Sequence, residues 1–172
     1  MVNVEDKAKQ AFEDISNIDK LNCGGCLFAA YGVWLHLKNC GYDMENVVIV
    51  QLSNNPHDYS NNTMYIESGE GVPDSASHFA LSIDGGETLM DSTGWDSEAI
   101  ASKFKLGSEY RELVIPSHKV EEFSENCLKK ADWNYSFVRE VSVPIINRRL
   151  NVDLDHRYES ENEDEYTLEL LF

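Results

Sequence analysis

Two cysteines sit in the run Asn22-Cys23-Gly24-Gly25-Cys26, at the head of a long apolar stretch, and His78 and Asp91 flank an Asp84-Gly85 turn signal further on. A thiol attacks a carbonyl only as thiolate, a form stabilised by the positive end of a helix and by a neighbouring imidazole. Cys26 stands at the start of an expected helix, where both could act. Gly25 before it lets backbone and substrate approach closely, and the Cys26 backbone N–H could help hold an oxyanion. His78 would act first as base and then as the acid that protonates the leaving group, while Asp91 would hold its tautomer and support the imidazolium. Such a set of residues would perform acyl transfer without a metal or cofactor. Cys23 is the alternative nucleophile, although a helix beginning just after the glycines favours Cys26 as its first-turn residue.

Other uses of these residues fit less well. A redox Cys-x-x-Cys needs a strand leading into it, whereas the segment before Cys23 is charged and helical in pattern. A zinc site would need a second close ligand pair, and Cys40 and Cys127 are isolated. His36 lies on the apolar helix and reads as a satisfied core residue. His57 is the one other base on offer, with no carboxylate paired to it. With 14 Lys plus Arg against 31 Asp plus Glu, the net charge of -17 would repel nucleic acid and anionic membranes. The absence of a signal-like or spanning apolar run predicts a cytosolic protein, bacterial or of a phage-infected cell, with reduced thiols.

The length of 172 residues suits one domain, 1–172, ending in an acidic segment at about 156–172. Val4, Ala8, Phe12 and Ile15 predict a surface helix over residues 4–16. The nucleophile helix should run from Cys26 to Cys40-Gly41, apolar nearly all round and therefore central. Val47 to Leu52 reads as a buried strand. The polar stretch from Ser53 to Ser77 is expected to be a long substrate-facing lid. His78–Ile83 and Gly86–Asp91 should form a hairpin about a two-residue Asp84-Gly85 turn. That register sets His78 opposite Asp91, with Cβ atoms about 5 Å apart. A helix near 96–104, a strand near 111–115 and a helix from Ser117 to about Lys130 follow. One or two strands are expected between Tyr135 and Leu154, with Pro144 marking an edge or a break.

Gly25-Cys26-Leu27-Phe28-Ala29-Ala30 resembles the nucleophile helix of the transglutaminases, and Cys23-Gly24-Gly25-Cys26 resembles the Cys-Gly-Ser-Cys of papain-type proteases. His78-Phe79-Ala80-Leu81 and Met90-Asp91-Ser92-Thr93-Gly94-Trp95 are similar to the His and Asp strands of the same superfamily. Asn22-Cys23-Gly24 is similar to the Asp-Cys-Gly of bacteriocin-processing peptidases, which would make Cys23 the nucleophile. Lys20 stands where papain-type enzymes carry an oxyanion Gln, and Asn22 is the substitute amide. The resemblance implies an α+β fold, with the nucleophile helix packed on an antiparallel sheet. It also implies a cysteine peptidase, transglutaminase, deamidase or acetyltransferase type of reaction through a thioacyl intermediate, with a protein or peptide as the preferred substrate. The rival class is an inactive acidic interaction protein on the same fold, an inhibitor or polyanion mimic, favoured by the net charge and the acidic end.

Overall fold

In a computed structural model of the chain, which describes residues 2–19, 21, 24–105, 109–129 and 138–154, the first helix, α1 (Val4–Ile15), is capped by Asn3, whose Oδ1 accepts from the Asp6 N–H at 2.7 Å. Its stripe of Ala8, Ala11, Phe12 and Ile15 is buried. Helix α2 (Cys26–Asn39) is buried on nearly every side. It ends in a Schellman motif: Gly41 is left-handed (φ 81°), and the Gly41 and Tyr42 N–H groups donate to the Lys38 and Leu37 carbonyls.

Strand β1 (Val48–Ser53) is the middle of a three-stranded antiparallel sheet, between β2 (His78–Ser82) and β3 (Arg111–Ile115). Alternate residues point to opposite faces. Ile49, Phe79, Leu81 and Ile115 join one core with α1, α2, α5 (Ser117–Lys129) and α6 (Val143–Leu150). Val48, Val50, Leu52 and Ala80 pack on the other face against Leu89 and against Ile100 and Ala101 of α4 (Ser97–Ser102). Covered on both faces, β1 is buried along its whole length, which accounts for its β-branched run. The fold is thus α+β, a helix-rich body on a small sheet.

Three expectations are corrected. The stretch read as an open lid contains a helix, α3 (Pro56–Ser68), opened by an Asn55 cap with Pro56 behind it and closed by left-handed Gly69. Its buried face uses Asn62 and Tyr65 rather than an aliphatic stripe. Asn62 accepts from the Asp74 N–H at 2.8 Å and donates to the Asp74 carbonyl at 2.9 Å, so the segment leading to His78 is tied down.

The hairpin also differs. Leu81 bridges to Met90, not to Thr88 as a two-residue turn would require, and Gly86–Asp91 forms no strand beyond that bridge. The Asp84 carboxylate holds the wider turn, accepting from Ser82 Oγ and from the N–H and Oγ1 of Thr88. Finally, the segment expected to hold strands past residue 135 has a π-helical turn over Val138–Ser142 leading into α6. Pro144 lies in the first turn of α6, where its missing N–H costs nothing. Residues 155–172, with the acidic segment, lie outside the described residues.

Asn62→Ala would leave both backbone groups of Asp74 without their buried partner. It is expected to destabilise the protein by about 2 kcal/mol in urea unfolding, and a loss within experimental error would show that the tie is not needed.

Candidate active site

Helix α2 begins at Cys26 because the chain can turn sharply just before it. Gly25 is the cap residue, and its carbonyl accepts from the Ala29 N–H at 2.9 Å. A Cβ on Gly25 would lie 2.7 Å from the Leu21 carbonyl oxygen, so any larger residue would push the incoming chain off the helix. Gly25 is buried, and its missing side chain is used by the chain's own backbone. Cys26 occupies the first helical position, where backbone N–H groups have no partner within the helix. Its thiol, in a residue 6% exposed, donates to the Ser77 carbonyl with an S···O distance of 3.6 Å. Asn22 and Cys23 lie outside the described residues.

The structure brings Cys26, His78 and Asp91 together. His78 opens β2, and its Nε2 lies 2.9 Å from Asp91 Oδ2, with the two side chains 8% and 5% exposed. The Cys26 side chain lies close enough to the same imidazole to favour its charged form. Since Nε2 is committed to the carboxylate, Nδ1 is the nitrogen left for the sulfur's proton. The altered hairpin register does not separate His78 from Asp91, because a slip of two positions keeps every side chain on its own face. The expected direct pair becomes a diagonal one.

Several supporting residues carry no sequence signal for this role. Asp91 and Gly94 exchange backbone hydrogen bonds in a tight turn. Thr93 donates to Asp91 Oδ1 from its N–H at 2.7 Å and its Oγ1 at 2.6 Å. Lys103 Nζ in turn donates to Thr93 Oγ1 at 2.9 Å. Phe104 stacks on the His78 ring at 4.5 Å and 13°. Gln51, fully buried on β1, donates to Ser77 Oγ at 2.9 Å and so holds the residue whose carbonyl meets the thiol. Thr93 lies within the Asp-Ser-Thr-Gly run, and the pattern of a hydroxyl closely following an aspartate was the one clue available. Of the other histidines, His57 is exposed in the first turn of α3, and His36 Nδ1 lies 2.7 Å from the Leu150 carbonyl.

Burial disfavours the charged imidazole of His78, but the hydrogen bond to the Asp91 carboxylate, and after it the neighbouring Cys26 side chain, outweigh it and push its pKa up to about 9. Asp91 experiences the same burial in the opposite sense. Its bonds from His78 and Thr93 prevail and hold its carboxyl below the usual range. Such a buried, charge-coupled pair beside a thiol can take and return a proton during acyl transfer. Among the described residues no group of His, Cys, Asp or Glu is arranged to hold a metal ion. Comparisons of the chain with protein-family models, with curated proteins and with solved structures find no match.

Because His78 binds its proton more tightly folded than unfolded, its contribution to stability is fully present below pH 6.5 and is lost as the pH rises through about 9. Thermal unfolding should show a loss on the order of 3 kcal/mol across that window, absent in His78→Gln. An unchanged pH profile in the variant would mean that the imidazole is not held as an imidazolium.

Proposed function

We propose that the protein is a thiol-dependent hydrolase or acyltransferase with a papain-like or transglutaminase-like core, opening an amide or isopeptide bond of a protein or peptide. The observation that carries this reading is the buried His78–Asp91 pair at 2.9 Å, beside a thiol at the first position of a helix. In the first step the Cys26 sulfur attacks the carbonyl carbon as thiolate, its proton held on His78 Nδ1, while Asp91 supports the imidazolium through Nε2. The Cys26 N–H, which has no partner within the helix, would stabilise the charge that develops on the carbonyl oxygen. The imidazolium then returns its proton to the leaving nitrogen, the C–N bond breaks, and the acyl group remains on Cys26 as a thioester. Water or an amine, deprotonated by His78, releases the acid or the new amide and restores the thiol. Phe104 over the ring and Thr93 on the carboxylate fix the geometry that both half-reactions share.

The alkylation rate of each cysteine by iodoacetamide, followed against pH by peptide mass spectrometry, tests this reading. Cys26 should react faster at neutral pH than Cys40 and Cys127, and His78→Ala should slow it by at least about tenfold. Rapid, His78-dependent labelling of Cys23 would move the nucleophile. Slow labelling of every thiol with ordinary pH dependence would end the catalytic reading in favour of an acidic binding protein on this fold.

A further inference from the structure

Among the aliphatic residues Val48, Ile49, Val50 and Leu52, strand β1 carries one fully buried amide, Gln51. Its neighbours in register are Phe79 of β2 and Leu113 of β3. An apolar side chain of similar length would suit such surroundings, because a buried amide is costly unless both of its polar groups are bonded. Gln51 bonds only one of them: Nε2 donates to Ser77 Oγ at 2.9 Å, and Oε1 has no partner among the described residues. The amide therefore adds little to folding, and what it does hold is Ser77.

Ser77 is where the chain meets the thiol. Its carbonyl accepts from Cys26 Sγ at 3.6 Å, and its hydroxyl donates to Asp58 Oδ2 of α3 at 3.4 Å. The peptide that carries this carbonyl runs directly into His78, the first residue of β2. One rigid plane thus presents its oxygen to the sulfur and leads through its nitrogen to the residue that bears the imidazole. A turn of that plane would move the sulfur's partner and the ring together. Of the two side chains on the Ser77 hydroxyl, Gln51 makes the shorter bond and comes from the middle strand of the sheet. We infer that Gln51 is a positioning residue for the thiol: through the Ser77 hydroxyl it fixes the Ser77–His78 peptide, and with it the approach of Cys26 Sγ to the His78 ring. This role rests on the acyl-transfer reading of the site.

Iodoacetamide labelling of Cys26 against pH, with exposed Cys40 as internal standard, would be set beside urea unfolding for the wild type, Gln51→Met, Ser77→Ala and the double variant. Gln51→Met should slow Cys26 at neutral pH by at least about fivefold. Its urea midpoint should stay the same or rise, since Ser77 Oγ keeps its bond to Asp58 and no half-paired amide remains. Ser77→Ala should slow Cys26 by a similar factor, and the double variant no more than either alone, because the two residues act as one link. A wild-type or faster rate in Gln51→Met, factors that multiply in the double variant, or a slower thiol in step with a lower urea midpoint would overturn the inference. Should Gln51→Met fail to fold, a wild-type rate in Ser77→Ala overturns it equally. Wild-type Cys26 that labels no faster than Cys40 and is indifferent to His78→Ala ends the acyl-transfer reading and this role with it. A fast, His78-dependent Cys26 that Gln51→Met leaves unchanged removes the role alone.

Discussion

The hydrogen bond from His78 Nε2 to Asp91 Oδ2 is almost wholly out of water, and a carboxylate in that position is tolerable only when its remaining lone pairs are also engaged. Much of the surrounding structure meets that condition. The turn from Asp91 to Gly94 brings the N–H and hydroxyl of Thr93 onto Oδ1, and Lys103 holds the hydroxyl from the other side. Phe104 closes over the imidazole face and belongs to the smaller core beneath the sheet, so packing on that side of β1 and β2 also fixes the ring. Removing either partner of the pair would leave a buried polar group uncompensated, a larger cost than the pair's own net contribution.

The thiol depends on a different constraint, the path of the chain into α2. A helix buried nearly all round has no freedom to shift along its axis, so the place where it starts decides where the thiol lies. That place is set by Gly25 passing close under the Leu21 carbonyl and by the packing of α2 on β2. Ser77, which precedes His78, accepts the thiol's hydrogen bond through its carbonyl and is held by Gln51 through its hydroxyl. The price is a fully buried glutamine whose Oε1 has no partner among the described residues. Asn62 makes the matching tie one step further back, on Asp74. Buried amides thus anchor a segment that has few apolar side chains to anchor it.

Much of this was legible from local patterns. The stripe of α1, the all-round apolar α2 with its Gly41 cap, the β-branched β1 and the positions of β3 and α5 follow from periodicity and capping, which act over a few residues. Cys26, His78 and Asp91 were each recognisable as chemistry-bearing types at suggestive places, a helix start and two arms of a turn. Helix α3 was hidden because its buried face is made of Asn62 and Tyr65, so the usual aliphatic stripe is missing, although Asn55-Pro56 and Gly69 marked its ends. Helix α6 was hidden by Pro144, which breaks strands and helix interiors alike but is welcome in a first helical turn. The spacing of Val143, Ile146 and Leu150 was the helical signal beneath it.

The turn between His78 and Asp91 shows where local reading ends. Asp84-Gly85 favours a two-residue hairpin, yet the Asp84 carboxylate finds Ser82 and Thr88 and opens the turn, a choice made by side-chain hydrogen bonds that propensity does not count. Face survived the change, because the pleat alternates with period two, while the pairing did not. Chemical type, face and helix boundary are properties of neighbouring residues, so a single chain displays them. Which nitrogen meets which oxygen and what covers the ring depend on Thr93, Phe104 and Gln51. These residues are brought to the site by separate elements of the chain, and only packing of the whole core sets their distances.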